Sequence, residues 1–308
     1  MIERKSINGY AHAEYAASLA KYGSPRWLPG CNGWILERSI QGTPYVDAMG
    51  CYPLFSCRDW SHLRDDLENI SDDLVSLVLV TDPFGDYTEE TLRHTFRDLA
   101  KPFKEHFVVD LKAVTETFGH PHHQRNARKA LKVASVEKCY DPSSCIEEWN
   151  NLYANLIERH EIRGIARFSK SSFARQLRIP GTVLLRAMNG RRVVGMTWWF
   201  ISGCVGYYHL GAYSDTGYEL RASFALFSRA IELFKAEGLR WLDLGAGVGF
   251  GNSATDGLSR FKRGWSTGTR TAYLCGRIFD RARYKQIVEA KGIQSMDYFP
   301  AYRTGDFV

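Results

Sequence analysis

The stretch of residues 238–265, GLRWLDLGAGVGFGNSATDGLSRFKRGW, decides the fold expected for this chain. Its apolar start at 239–244 predicts a buried strand, and a glycine-rich segment follows. Asp256 precedes a short basic segment, as is typical of a helix N-cap residue. A strand, a glycine-rich loop and a helix start place backbone N–H groups where they can meet an anion, here at Gly245 and Gly247. The stretch therefore predicts an anion-binding loop.

The chain before this stretch has the two-residue periodicity of strands. Residues 182–213 contain three β-type runs, separated by Asn189-Gly190 and Ser202-Gly203. Asn-Gly is typical of a type I′ hairpin turn, so we expect an antiparallel three-stranded meander. Apolar residues at helical spacing then predict a long helix that ends at Gly238. We expect the strand at 239–244 to lie in the same sheet as the meander.

The first half of the chain alternates between helix and strand patterns. The apolar run 74–80 predicts a strand buried on both faces. A helix with Leu92 and Leu99 facing inward and a strand at 107–111 are expected after it. Residues 120–132 predict a basic helix with a cationic face. Together these patterns predict the fold class α/β (α+β).

Composition and length limit the class of protein. The 308 residues are 44% hydrophobic and 24% charged, which is typical of a globular protein. No apolar run approaches the ~18 residues that span a bilayer, and the N-terminus lacks the apolar segment of a secretory signal. We therefore expect a cytoplasmic protein with no transmembrane segment. The seven cysteines include no C-x-x-C pair, which favours reduced thiols over disulfides.

Neither a metal site nor a DNA-reading motif is indicated. His120, His122 and His123 are bunched at a helix start without neighbouring carboxylate or cysteine ligands, so we expect no metal site. The net charge is +6, and the segment 260–285 has eight basic residues against one acidic residue. Such a segment fits a phosphate-bearing partner, such as coenzyme A or tRNA, and fits a solvated surface equally well. A non-catalytic nucleic-acid or nucleotide-binding module is therefore one hypothesis, although no RNA-binding aromatic platform or DNA-reading motif supports it.

One enzyme class resembles the glycine-rich segment only locally. Residues 241–249, WLDLGAGVG, are similar to the first motif of S-adenosylmethionine-dependent methyltransferases. In that class the loop follows the first of seven strands, whereas only 59 residues follow Gly249 here. The meander at 182–213 also differs from the alternating strand–helix units of that fold. The context therefore disfavours a methyltransferase.

The order helix, three antiparallel strands, long helix, strand, short helix, strand resembles the GNAT acyltransferase superfamily. The chain is most similar to its Fem-type branch, which adds amino acids to peptidoglycan precursors, and to related glycan-associated acetyltransferases. The matching segments are spread between residues 107 and 265; they are FVVDLK (107–112), RNARKALK (125–132), HLGAYSDTGYEL (209–220), LRWLDLGAGVG (239–249) and DGLSRFKRGW (256–265). The resemblance implies tandem GNAT-like lobes, each a mixed, largely antiparallel sheet flanked by helices. We place an N-terminal, acceptor-side lobe at 1–140 and a C-terminal lobe for donor binding and catalysis at 141–308.

The resemblance also implies an activity. An acyl or aminoacyl group would pass from acyl-CoA or aminoacyl-tRNA to an amine of a cell-wall or glycan precursor, without a covalent enzyme intermediate or a tightly bound cofactor. The acceptor would be a small molecule, a glycan or a peptide, and tRNA is a candidate partner. An alternative is tRNA-dependent peptide-bond formation in small-molecule or peptide biosynthesis. The turn at 214–221 lacks the glycine-rich loop of ordinary acetyl-CoA users, which leaves the donor open.

Several candidate site residues follow from the resemblance. Lys262 is expected to stabilise an oxyanion or a donor phosphate. Asp243 would either orient a substrate amine or cap the glycine loop, and His209 is either a base or a histidine satisfied by its sheet neighbours. Two further sets are expected, namely Gly217, Arg221, Gly245, Gly247 and Arg263 for the donor, and Arg125 and Arg128 for phosphates of the acceptor.

Overall fold

A computed structural model describes residues 8–115, 117–247, 256–294 and 297–306. The strands are β1 Ser24–Leu28, β2 Gly33–Ser39, β3 Val46–Gly50, β4 Ser76–Val80, β5 Leu99–Asp110, β6 Ser135–Lys138, β7 Thr182–Asn189, β8 Arg192–Ser202, β9 Val205–Tyr213, β10 Trp241–Asp243 and β11 Gly268–Ile278. The α-helices are α1 Ala13–Ser18, α2 Leu63–Asn69, α3 Glu89–Phe96, α4 Pro121–Ala130, α5 Ile146–His160, α6 Lys170–Gln176, α7 Asp215–Glu219, α8 Ala222–Ala236, α9 Gly257–Arg263 and α10 Arg281–Ala290. Short 3₁₀ helices lie at Gly9–Ala11, Trp60–His62, Pro142–Cys145, Gly164–Ala166 and Ala301–Arg303.

Packing contacts divide the chain into two compact units. Unit 1 comprises residues 1–9 and 104–270, and unit 2 comprises residues 10–103 and 271–308. The division therefore falls at other positions than the predicted lobes 1–140 and 141–308. Compactness does not decide which part of a protein binds a donor or an acceptor, so the assignment of those lobes stays a prediction.

Unit 1 contains a mixed sheet in the order β5-β10-β9-β8-β7-β6. Strands β7, β8 and β9 form the predicted antiparallel meander, and β10 pairs with β9 in parallel and with β5 in antiparallel fashion. The predicted common sheet of meander and strand 239–244 is therefore confirmed. A methyltransferase fold is excluded because β10 follows a meander instead of opening a parallel sheet.

The first hairpin turn of the meander differs from the predicted turn type. Asn189 pairs with Arg192, so the first turn is centred on Gly190 and Arg191. Gly190 has a φ of 60°, and Asn189 is not among the residues with positive φ. A positive φ at the first central residue only is the pattern of a type II′ turn, so the expectation of type I′ was wrong.

The sheet of unit 1 is covered on both faces. Helix α8 packs on the meander and against α4, and their apolar residues form a core with Val109, Leu242 and Trp265. Helix α5 packs on β8 and β9, where Trp149 lies edge-on to Trp198 at a ring distance of 5.2 Å. Both faces of β8 are buried, which explains its nearly continuous apolar sequence.

The strands of unit 2 lie in the order β1-β2-β3-β4-β11 and include parallel and antiparallel pairs. Strand β4 pairs with β3 in parallel and with β11 in antiparallel fashion. The core of unit 2 brings together apolar residues of the strands with Leu67 of α2 and Phe96 of α3. Leu99 was expected inside a helix, but α3 ends at Phe96 and Leu99 begins β5. The prediction of mixed, largely antiparallel sheets flanked by helices is confirmed in each unit.

The strands of the two units share one pairing pattern. In unit 2 the strands β1, β2, β3, β4 and β11 pair as antiparallel, antiparallel, parallel, antiparallel. In unit 1 the strands β7, β8, β9, β10 and β5 pair in the same sequence of directions. Each order is a three-stranded meander, a fourth strand after a helix, and a last strand taken from the other half of the chain. This repeat with exchanged last strands explains why the compact units are discontinuous in sequence.

Among the residues that the structure describes, no helix has both the length and the apolar character needed to cross a membrane.

Candidate active site

Asp243 ends β10 and is the centre of a small buried network. Its Oδ1 accepts the N–H of Gly245 at 2.7 Å, and its carboxylate lies 2.9 and 3.0 Å from Nδ1 of His106 on β5. Asp243 is opposite Val108 in the strand register, so His106, two residues away, points to the same side of the sheet. Both side chains are buried. The strand pairing therefore brings a histidine and a carboxylate together across 137 residues of sequence.

Lys262 is a buried cation beside this network. Helix α9 begins after Asp256, whose side chain accepts the N–H of Ser259 at 2.9 Å, which confirms the predicted N-cap. Lys262 is only 5% exposed, and its Nζ donates to the carbonyl oxygen of Ala246 at 2.7 Å. Burial lowers the pKa of Lys262 to about 8, although the nearby carboxylates of Asp243 and Asp256 act to raise it. An ammonium has three N–H groups, so the bond to Ala246 leaves donors for a ligand.

The start of the glycine-rich loop packs tightly against α9. Gly245 has a φ of 75°, and a Cβ there would lie 3.1 Å from Nζ of Lys262. A Cβ on Gly247 would overlap the hydroxyl oxygen of Ser259. Lys104, on β5, reaches the carbonyl oxygen of Gly247 at 3.5 Å, and burial lowers its pKa. The predicted anion-binding loop continues through 248–255, which lie outside the described residues.

His209 lies away from Lys262. Successive residues of β9 face opposite sides of the sheet, and the Lys262 Nζ lies 5.6 Å from the ring centre of Tyr208. The His209 ring packs instead against Trp198 and Phe200, and its Nε2 is 3.1 Å from Oε1 of Gln176. Burial lowers the pKa of His209 to about 3. This environment holds a neutral imidazole within the core.

Two expected donor-binding residues lie at the start of α7 and α8. The Gly217 N–H donates to the Ser214 hydroxyl at 3.1 Å, and a Cβ on Gly217 would overlap the carbonyl oxygen of Val194. Arg221 directly precedes α8 with left-handed backbone angles, φ 59° and ψ 38°. Its guanidinium donates to the side-chain oxygen of Asn126 on α4. Asn126 thus ties the start of α8 to the basic helix.

The remaining expected cations are exposed. Arg125 and Arg128 lie on the solvent side of α4, as their spacing predicts. Arg263 is exposed at the end of α9, and its guanidinium lies 5.5 Å from the ring centre of Phe107. Arg125 is adjacent in sequence to Asn126, the partner of Arg221. The expected acceptor residues on α4 therefore lie in the same unit as the expected donor residues.

The three histidines around the start of α4 have structural contacts. His120 is the N-cap residue, and its Nδ1 accepts the N–H of His122 at 3.2 Å. His123 is buried beside Trp265 and lies 3.0 Å from the carbonyl oxygen of Phe261 through Nε2. Within the described ranges, no group of three histidine, cysteine or acidic side chains is placed to hold a metal ion.

Sequence analysis missed two members of the site. The structure brings Asp243, Lys262, Gly245 and Gly247 together, as expected, and adds His106 and Lys104 from β5. The signal in the sequence is the two-residue spacing of Lys104 and His106, directly before the predicted strand 107–111. This spacing places both side chains on one face if the strand begins earlier than predicted. The pairing of β5 with β10, which gives them their place, is not visible in a single sequence.

Comparison with a family model gives a match that lies within unit 1. Residues 122–263 match the family model described as the acetyltransferase (GNAT) domain. This range contains the meander, α8, β10 and α9, and therefore Asp243 and Lys262. A search of curated proteins gave no match.

Solved structures show the same fold over most of the chain. FemX has a TM-score of 0.64 at 11% identity, with 89% of this chain and 93% of that chain covered. A C-terminal domain assigned to a lysylphosphatidylglycerol synthetase of Agrobacterium fabrum has a TM-score of 0.62 at 12% identity, with 91% of each chain covered. L-PGS from Bacillus licheniformis has a TM-score of 0.58 at 12% identity, with 94% of this chain and 98% of that chain covered. Residues 122–263 therefore match an acetyltransferase (GNAT) domain, and the chain shares the fold of these solved structures, which together support a transferase.

Proposed function

We propose that the protein transfers an acyl group from an activated thioester or ester to an amine. The observation that carries this proposal is the divergence of two parallel strands beside Lys262. Pairing between β9 and β10 ends at Tyr207 and Asp243, although β9 continues to Tyr213. Residues 208–213 of β9 therefore extend beyond its pairing with β10. An extended donor arm can bind along such a strand edge through backbone hydrogen bonds.

The start of α8 offers a place for the phosphates of the donor. This helix has 15 residues, and the N-terminus of a helix carries free N–H groups and partial positive charge. Arg221 stands directly before it, and the exposed Arg125 and Arg128 lie on the adjacent helix α4. We propose acyl-CoA as the donor, because its pyrophosphate fits a helix end flanked by arginines. Aminoacyl-tRNA is the second candidate, supported by the resemblance to Fem-type transferases.

Lys262 and the glycine loop would act on the reacting carbonyl. When an amine attacks a thioester, negative charge develops on the carbonyl oxygen, and a preorganised cation stabilises it. A pKa of about 8 leaves most Lys262 side chains protonated at pH 7. The donor is already activated, so positioning can supply much of the rate without a covalent enzyme intermediate. In this proposal His209 has no part in the chemistry.

The acceptor would be a primary amine on a peptide or an amino sugar, as in the cell-wall precursors that the Fem-type resemblance implies. To test the function, the protein is incubated with a panel of acyl-CoAs, charged tRNAs and amine acceptors, and products are identified by mass spectrometry. We expect an N-acylated product together with free coenzyme A. Formation of product only from charged tRNA would replace the proposed donor. Absence of an amide product with every donor would contradict the proposed function.

A further inference from the structure

We propose that His106 is the proton acceptor of the transfer reaction and that Asp243 positions it. This inference rests on the proposed acyl transfer to an amine. An amine that attacks a carbonyl must lose a proton, and a histidine held by a carboxylate is a common arrangement for accepting one. The sequence alone contains no indication that His106 and Asp243 lie in contact.

The contact with Asp243 determines which nitrogen of His106 can act. An ionised carboxylate has only acceptor atoms, so His106 donates through Nδ1–H, at 2.9 Å from Oδ2. In the neutral imidazole the other nitrogen, Nε2, then carries a lone pair. Among the residues that the structure describes, no side chain or backbone group forms a hydrogen bond to this Nε2. The nitrogen with the correct protonation state is therefore the one left for a substrate.

Burial and a second bond fix the position of the pair. Asp243 is 2% exposed and His106 is 7% exposed, so neither side chain is free to rotate into solvent. The Asp243 carboxylate also accepts the Gly245 N–H, which ties the imidazole to the first turn of the glycine loop. Among the described residues, the charged neighbours of the pair include Lys104, two residues earlier on the same face of β5, and Lys262 of α9, whose charge interacts with Asp243. Asp256 supplies negative charge beside both lysines. The site thus combines a base, its positioning carboxylate and a cation at one strand end.

The chemical step balances without another reactant. The nitrogen of the acceptor amine attacks the carbonyl carbon of the donor, and a C–N bond forms. The C–S bond to coenzyme A breaks, and the sulfur leaves with the bonding electron pair. Nε2 of His106 accepts the proton that the nitrogen loses and returns it to the leaving thiolate. The products are an amide and free thiol, and the enzyme is unchanged.

A His106→Asn variant separates a catalytic role from a structural one. The Asn side-chain N–H occupies the place of Nδ1–H, so the hydrogen bond to Asp243 can persist while Nε2 is absent. We expect the melting temperature and the dissociation constant for acyl-CoA to stay close to the wild-type values, whereas kcat falls ~10²–10⁴-fold. The rise of kcat/KM with pH should also disappear in the variant. Asp243→Asn should lower kcat while substrate binding is kept, because the imidazole loses the partner that selects its tautomer.

An NMR measurement tests the same proposal without turnover. In ¹⁵N-histidine-labelled protein, with the His106 signals assigned from the variant, we expect a protonated Nδ1 and an unprotonated Nε2 above neutral pH. A protonated Nε2 would overturn the role of His106 even if acyl transfer is observed. Wild-type turnover in His106→Asn would overturn it too, while the proposed function would stand. Wild-type protein that forms no amide from any donor would refute the proposed function, and the role of His106 with it.

Discussion

The buried ammonium of Lys262 lowers the stability of the folded protein, whereas the proposed reaction requires its charge. Removing an ammonium from water is costly unless charges or hydrogen bonds compensate for it. Here one carbonyl oxygen, that of Ala246, accepts from Nζ at 2.7 Å, and Asp243 and Asp256 supply negative charge nearby. The fold therefore keeps a partly compensated cation at the end of β10, where an incoming oxyanion can complete its coordination.

Replacing Lys262 should affect turnover more than binding. Lys262→Met keeps the aliphatic stem and removes the charge, so we expect kcat to fall ~10²–10³-fold if the ammonium stabilises an oxyanion. If it binds only a donor phosphate, KM should rise instead. Lys285→Met, at an exposed position of α10, is the matched control and should change neither constant. Steady-state kinetics decide between these outcomes, and values within a factor of about two for Lys262→Met would show that this residue has no role in the reaction.

The buried ammonium also predicts how stability depends on pH. The pKa of Lys262 in the folded protein is about 8, below the ordinary lysine value of 10.5, because burial disfavours the charged form, so folding opposes its protonated form. This unfavourable contribution is fully present below pH 8 and disappears as the pH rises toward 10.5. Between pH 8 and pH 10.5, the unfolding free energy of the wild-type protein should therefore rise by about 3 kcal/mol relative to that of Lys262→Met. Urea unfolding of both proteins at pH 7, 9 and 10.5 tests this prediction. If the two unfolding free energies differ by the same amount at all three pH values, the Lys262 ammonium is not buried as described.

At the scale of elements, α7 shows that a glycine near a candidate site can have a packing role. Gly217 was expected to bind the donor, yet its N–H bonds to the Ser214 cap and its Cα faces the backbone of β8. A methyl group there would overlap the carbonyl oxygen of Val194. The sequence shows the glycine but does not show which neighbouring strand requires it.

Gly217→Ala should therefore destabilise the protein by about 1–3 kcal/mol, because α7 must move away from β8. Gly257→Ala is the matched control, since a Cβ at that position meets no atom within 4 Å. We expect the control to change the unfolding free energy by less than about 0.5 kcal/mol. Denaturant unfolding measures both effects. Equal stability of the two variants would remove the packing explanation and leave donor binding as the reason for Gly217.

Elements with strong local signals were predictable from sequence. The meander, α8 and the Asp256 cap follow from two-residue alternation, helical spacing and capping chemistry, each determined by neighbouring residues. The boundary between α3 and β5 was not predictable in this way. Leu99 continues the helical spacing in the sequence, but in the structure it belongs to a strand. His106 is the equivalent case within the site, since its partner lies 137 residues away.

For the whole molecule, the exchanged last strands connect fold and site. Strand β5 comes from the first repeat of the chain, yet it pairs with β10 and supplies His106 and Lys104 to unit 1. A division of the sequence at residue 140 assigns β5 to one lobe and β10 to the other. Single-sequence patterns reveal repeats of similar order, but the exchange depends on which strands meet in space.

Unit 2 has its own buried ionic centre, which allows its stability to be perturbed separately from the candidate site. Asp47 is fully buried and accepts two hydrogen bonds from Arg303, at 2.8 and 2.9 Å, while Arg38 lies 3.4 Å away. Asp47→Asn would leave two buried guanidinium groups without their main counter-charge. Removing one member of such a buried group typically costs about 3–5 kcal/mol.

We expect Asp47→Asn to lower the unfolding free energy by that amount while the affinity for the donor stays within about twofold of wild type. The proposed donor residues, Arg221 and Lys262 among them, all belong to unit 1. Asp306→Asn is the control, because Asp306 also pairs with Arg303, at 3.0 Å, but is 32% exposed and should contribute less than about 1 kcal/mol. Urea unfolding and titration calorimetry with acyl-CoA, well below the melting temperature, give both quantities. A tenfold loss of donor affinity in folded Asp47→Asn would contradict the assignment of the proposed donor residues to unit 1 alone.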